Sequence, residues 1–348
     1  MNAAHRDLIL QRWNVLQHEL LPEIRGDVGS LSPKLEKLIH ILEWVRIEEF
    51  TAVSWCGVGR PAHERAWLAN AFVAKAVLGI TTTAALIERL QIDRALRRIC
   101  GFSLYKKLPS EATFSRAFAE FAKANLAERA HEALVEGHLG DQLIGHLSRD
   151  GTAIEARERP TAKRLPAPPS PIARQRQQSL GEMLEEIPVA CDRGTKSNAQ
   201  GYKVSWNGYK LHLDTACCGV PIAALLSSAS MHDSRAAIPL SLISASRVTN
   251  LYDVMDAAYC SLDLHAHSRD LGHVPLIDHN PRGGEKEAFE PLDALRYQER
   301  AVAERSNARL KDEFGGRHVR VQGPTKVMSH LMFGVLVLSA DQLMRLLL

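Results

Sequence analysis

Tyr297-Gln298-Glu299-Arg300-Ala301-Val302-Ala303-Glu304-Arg305-Ser306-Asn307-Ala308-Arg309-Leu310-Lys311 contains neither glycine nor proline and is rich in Ala, Glu, Arg and Leu. That composition predicts one helix through the whole stretch. At about 100° per residue, Tyr297, Arg300 and Lys311 then fall within about 40° of Glu304, with Leu295 and Val302 nearly opposite. One narrow stripe would carry a phenol, a guanidinium, a carboxylate and an ammonium. Charges so arranged commonly form only a solvated face laced with salt bridges.

The spacing adds something more specific. Tyr297, two residues, Arg300, three residues, Glu304, six residues and Lys311 resembles, without departure, the YREK signature of bacterial insertion-sequence transposases. The resemblance implies that Glu304 is the last member of an Asp-Asp-Glu metal-binding triad whose two aspartates stand upstream at strand ends. Asp150, in Ser148-Arg149-Asp150-Gly151-Thr152, and Asp256, in Val254-Met255-Asp256-Ala257-Ala258-Tyr259, are the candidates. Asp253 competes with Asp256, which is preferred because Asp256-Ala257-Ala258-Tyr259 resembles the family's second-aspartate segment. Taken singly, each aspartate reads as a turn or cap residue. Their order with the signature, strand, strand and helix, favours the triad.

A chain of 348 residues is long enough for two domains, and its 45% hydrophobic fraction permits sizeable cores. The formal net charge is only +3, so affinity for nucleic acid must come from local patches. Cys56, Cys100, Cys191, Cys217, Cys218 and Cys260 form no CxxC pair and are expected to be reduced, mostly buried thiols without a zinc site. The first residues lack the apolar run of a signal peptide. Leu331 to Leu348 is apolar but interrupted by Asp341, Gln342 and Arg345, which suits a buried helix better than a membrane span. A soluble intracellular protein is expected.

Residues 1–140 read as helical throughout, from Leu8, Ile9, Trp13 and Leu16 to the Ala- and Phe-rich run after Pro109-Ser110. Thr81-Thr82-Thr83 can cap a helix, and Gly57-Val58-Gly59-Arg60-Pro61 reads as a turn before a helix over 62–80. The Gly-Arg-Pro turn, Arg97 to Phe102, and Pro109 to Arg116 resemble the N-terminal helical domain of these transposases. That likeness implies binding to terminal inverted repeats; a purely structural bundle fits the residues equally well.

From 141 onward the periodicity changes. Strands are expected at Leu143 to Asp150, Tyr202 to Thr215 and Pro221 to Ser230. They are followed by a helix after Asp233, a strand Leu251 to Asp256, a helix Leu262 to Leu271 and a strand Val274 to Ile277. This order predicts an α/β fold, an RNase H-like mixed-sheet catalytic core over 141–348 behind an all-α N-terminal domain. An insertion at about 157–200 opens with Arg157, Arg159, Lys163, Arg164, Arg174 and Arg176 against the one acid Glu158, with five prolines. It reads as an extended mobile loop, either a solvated linker or a DNA-backbone contact.

Phosphodiester cleavage needs an activated nucleophile, a neutralised phosphoryl oxygen and a stabilised leaving oxygen. Two Mg2+ ions about 3.5 to 4 Å apart supply all three and prefer oxygen ligands. Asp150, Asp256 and Glu304 would hold them, with Mn2+ as a substitute. The resemblance further implies DNA contacts from Tyr297, Arg300 and Lys311, with terminal inverted repeats and target DNA as partners. It also implies a homodimer on DNA, no membrane, and a place in the bacterial cytoplasm at the nucleoid. His232-Asp233 resembles another recurring segment, in which the histidine reads as a structural hydrogen-bonding group. His265 and His267 share a predicted helix and make a poor metal pair. Arg317, His318, Arg320 and Lys326 form a second basic cluster, either on the DNA path or in a solvated loop. The expected reaction is cleavage at the element's ends followed by joining of the 3′ hydroxyl to target DNA. A nuclease that cuts without joining, and a DNA-binding protein that has lost catalysis, are the alternatives.

Overall fold

The computed structural model describes residues 11, 13–51, 64–161, 172–197, 201–281 and 284–347. Leu8, Ile9, Cys56, the turn expected at residues 57–61, and Lys163 and Arg164 lie outside the described residues.

The helical region comprises α1 (Leu21–Val28), α2 (Pro33–Val45), α3 (Arg65–Val77), α4 (Thr83–Ile92), α5 (Arg94–Ile99), α6 (Glu111–Lys123) and α7 (Leu126–Leu139). Short polar side chains start several of them by taking up free N–H groups: Thr82 accepts from Ala85 N at 3.0 Å and Asp93 from Leu96 N at 2.9 Å. Pro33 occupies the first turn of α2, where its missing N–H costs nothing.

Beyond this region come strand β1 (Leu143–Glu155), helices α8 (Ile172–Gln175) and α9 (Leu180–Glu186), and strands β2 (Asp192–Ser197), β3 (Lys203–Ala216) and β4 (Pro221–Ser228). Then follow α10 (Ser234–Ala245), β5 (Thr249–Met255), α11 (Leu262–Asp270), β6 (Val274–Ile277), α12 (Pro291–Gln298), α13 (Ala301–Asp312) and α14 (Pro324–Leu347). The sheet runs β2-β3-β1-β5-β6, with β4 also paired to β3. β1, β3 and β4 are antiparallel neighbours; β5 and β6 are parallel to β1, reached through α10 and α11 as parallel crossovers require. This is the mixed sheet expected of an RNase H-like core.

α14 is long and apolar enough to cross a membrane, yet 83% of its apolar window is buried inside the protein. It packs against α2, α3, α6 and α7 as well as β4. Around Phe72 the rings of Phe114, Phe118, Phe121 and Phe333 stand at 6.1, 4.9, 6.2 and 5.9 Å. Each such ring removed from water contributes about 1.5–3 kcal/mol, so α14 and the helical region share one core.

Four expectations require correction. β1 does not end at Asp150 but continues to Glu155, because β3 extends the antiparallel ladder through Gly151–His212 to Glu155–Gly208. Gly151 is no turn; a Cβ there would meet His212 Nδ1 at 3.1 Å and Asp233 at 3.3 Å. The described insertion is not an extended loop. α9 carries a capping box between Ser179 and Glu182, and β2 pairs with β3. Arg174 pairs with Glu186 at 2.8 Å and Arg176 with Asp270 at 2.7 Å. The signature stretch breaks between Gln298 and Ala301. α12 buries no residue and meets β5 through Arg296, 3.9 Å from the Tyr252 ring centroid, whereas α13 buries Val302, Ala303, Ser306, Asn307 and Leu310. The cysteines are not mostly buried: of the five described, Cys100 and Cys191 are buried and Cys217 is exposed.

Candidate active site

The last parallel pair between β1 and β5 is Arg149 with Met255. Asp150 and Asp256 follow those residues directly and so stand side by side where β5 ends. Carboxyl ends of parallel strands are where α/β sheets place ligand groups. Asp256 Oδ1 accepts from Ala258 N at 2.9 Å, as the cap of the 3-10 turn Ala257–Tyr259. Asp150 accepts from Asn307 Nδ2 at 2.8 Å, a bond from α13. Burial first, then the charge of Asp256, pushes the Asp150 carboxyl up to about 6; Arg300 and Asn307 pull the other way. Burial also raises Asp256, against its backbone bond and Arg300.

A third carboxylate, Asp233, borders the pair and acts on both through its charge. It is held by Lys210 Nζ at 2.7 Å, which also donates to Met231 O at 2.7 Å. His232 Nδ1 meets Ser234 Oγ at 2.8 Å, a local contact at the start of α10. Asp253 is turned inward, bonded to Ser268 at 2.6 Å, Asn250 at 3.1 Å and His273 at 3.1 Å. His267 meets the buried Ser241 Oγ of α10 at 2.8 Å.

Beneath the aspartates lies a buried ion pair. Arg149 donates to both carboxylate oxygens of Asp214 at 2.7 Å, and Ser244 Oγ donates to the same carboxylate at 2.7 Å. This cross-strand pair ties β1 to β3 one residue before Asp150.

Of the signature residues, Arg300 is the hub. It pairs with the exposed Glu304 and couples electrostatically to Tyr297, Asp150 and Asp256. Tyr297 lies on α12, its ring 4.8 Å from that of Phe289, and burial pushes its phenol up to about 12. Lys311 sits one side away; burial and then the charges of Lys196 and Arg317 lower its ammonium pKa, while Asp150 and Glu155 raise it. The fold brings Asp150, Asp256, Tyr297 and Arg300 to one sheet end, and Glu304 is linked to them only through Arg300. Glu304 is turned to Arg300, and among the described residues no three His, Cys, Asp or Glu side chains are close enough together to hold a metal ion.

Asn307 and Lys210 are not legible as site residues in the sequence. Asn307 lies three positions beyond Glu304 on one helix face, a spacing that could have flagged it. Asp233 lies inside a segment singled out for its histidine. Two like charges side by side at a buried sheet end are unfavourable alone, and the donor set suits a hard divalent cation as counter-charge.

A family model described as Transposase domain (DUF772) matches residues 24–120, and one described as Transposase DDE domain matches residues 144–339. Searches of curated proteins and of solved structures each gave no match. The second family model covers more than half of the chain, over the mixed sheet, the paired aspartates and α13. The chain thus belongs to the insertion-sequence DDE transposases.

Proposed function

We propose that the protein cuts DNA at the ends of an insertion sequence and joins the freed 3′ hydroxyl to target DNA, with Asp150, Asp256 and Glu304 as the catalytic carboxylates. The observation that carries this reading is the adjacency of Asp150 and Asp256 at the end of β5, one of them raised to about 6 by burial and its neighbour. Two divalent cations, Mg2+ or Mn2+, would supply nucleophile activation and charge neutralisation there. Asp150 and Asp256 already face the same place. Glu304 joins them by leaving Arg300, and Arg300, so released, binds a DNA phosphate as a planar guanidinium does well. Lys311 contacts a neighbouring phosphate, and Tyr297 packs near the strand end. Residues 1–140 serve as the terminal-repeat-binding part and 141–348 as the catalytic part. Because two ends must be processed together, the working form is a homodimer on DNA, at the bacterial nucleoid.

The test is cleavage of a labelled duplex carrying the element's ends, with Mg2+, by the protein and its Asp150→Asn variant. Nicking and strand-transfer products made by the first and lost in the second support the reading. Nicks without transfer products point to a simple nuclease; equal activity in both rejects Asp150.

A further inference from the structure

A cavity of about 350 Å³ opens between α3, α6, α14 and the segment joining α13 to α14. None of the residues around the paired aspartates lines it. Three cations do: Lys75 on α3, Arg320 before α14 and Lys326 in its first turn. None of the three has a carboxylate partner among the described residues. The one carboxylate in the lining, Glu111, is exposed. In a chain whose net charge is only +3, three unpaired cations converging on one cavity are a local surplus.

We infer that this cavity is a phosphate site, separate from the acidic centre, and that it takes a backbone phosphate of DNA. Its volume is at the lower end of small-ligand pockets, room for a phosphate with part of its sugar. The electrostatics agree. His330 Nε2 donates to Gly315 O at 3.1 Å, and burial with the Lys75 charge holds its imidazole down at about 4, so it offers no positive charge. Burial also lowers Lys75 to about 8, the mark of an ammonium lacking a counter-ion. An arriving phosphate supplies one and accepts charge-assisted hydrogen bonds from all three cations. Because Lys75 comes from α3 and Lys326 from α14, a strand held here would be fixed where the helical region meets α14.

A free phosphate ion offers the same chemistry, so the experiment has two arms, both on the full chain with EDTA to exclude cleavage. In one, anisotropy of a labelled duplex is followed against salt for the protein, Lys75→Gln and Arg320→Gln/Lys326→Gln. In the other, melting is followed with inorganic phosphate against chloride at equal ionic strength. Weaker DNA binding in both variants, with the salt slope reduced by about one for each phosphate no longer neutralised, supports DNA as the source. Stabilisation of the protein but not the variants by inorganic phosphate, with DNA binding unchanged, supports the site and rejects DNA as its ligand. Unchanged DNA binding together with an equal response to phosphate overturns the site. The double variant alters two exposed side chains, so its result stands even if Lys75→Gln folds poorly. An inactive Asp150→Asn protein would still show the effect, which keeps this test independent of the catalytic assignment.

Discussion

Asn307 Nδ2 donates to Asp150 Oδ2 across 2.8 Å, so the helix that presents Glu304 also holds the first aspartate. Asn307 is itself 5% exposed, and its Oδ1 is buried without a partner. Asn307→Ala therefore leaves a crowded carboxylate short of a donor. A loss of about 1–3 kcal/mol is expected in urea unfolding at mildly alkaline pH with EDTA present. Asn307→Asp should cost more, since it sets a further carboxylate against Asp150. An Ala variant as stable as the parent would mean that the bond contributes nothing.

Glu304 makes the opposite case. Its side chain is 57% exposed and its partner is Arg300 four residues earlier, an arrangement worth little to the fold. Glu304→Gln should keep stability within about 0.5 kcal/mol while metal-dependent nicking of the end duplex disappears. A variant that still nicks at the parental rate would remove Glu304 from the catalytic set.

Under the site, Arg149 and Asp214 are 3% and 0% exposed. Removing one partner strands a buried charge. Asp214→Ala should cost about 3–5 kcal/mol, and Arg149→Met a similar amount. The double change Arg149→Met/Asp214→Leu should recover most of that loss, since apolar groups of similar volume need no compensation. Urea unfolding of the three variants gives the coupling directly, and strictly additive losses would refute it.

Most of the fold was legible because its signals are local. The helix start at Thr82, strand β6 at Val274–Ile277 and the buried character of α14 all follow from capping or apolar patterning. The misread elements depend on distant neighbours. β1 passes through Asp150-Gly151 because the long β3 lies alongside, and no residue near Gly151 announces that. α12 and α13 separate, and α13 alone buries residues, a difference that a helix-forming composition cannot reveal. The site divides in the same way. Tyr297, Arg300, Glu304 and Lys311 share a motif spacing, and the resemblance it carries singled out Asp150 and Asp256, whereas Asn307, Lys210 and the Arg149–Asp214 pair become partners only through strand register and helix docking.

Glu128, in the first turn of α7, has a buried carboxylate oxygen without a partner, and burial pushes its pKa up to about 7. Its folded pKa exceeds the unfolded value of about 4.3, so no penalty exists below that pH, one accumulates as pH rises from about 4.3 to about 7, and it stays constant above. Glu128→Gln should therefore stabilise the protein above about pH 7, by up to about 3 kcal/mol, and make no difference near pH 4. Urea midpoints at the two pH values check this; a pH-independent gain would point to packing.

His131 works on the acid side. It is 0% exposed, with Nε2 3.0 Å from Pro221 O and 3.1 Å from Ser339 Oγ, so it ties α7 to β4 and α14. Burial first, then the charge of Arg247, holds its pKa down at about 3. The unfolded imidazole takes a proton near pH 6.5, whereas the folded one refuses it until about pH 3. Stability is thus fully present above about pH 6.5 and falls as pH drops toward about 3, by about 1.4 kcal/mol per pH unit for this group. His131→Gln keeps an N–H donor for the Pro221 carbonyl but cannot titrate. It should unfold more easily than the parent at about pH 7.5 yet lose less stability on going to about pH 4.5. Parallel pH profiles for the two proteins would show that His131 is not the group that limits acid stability.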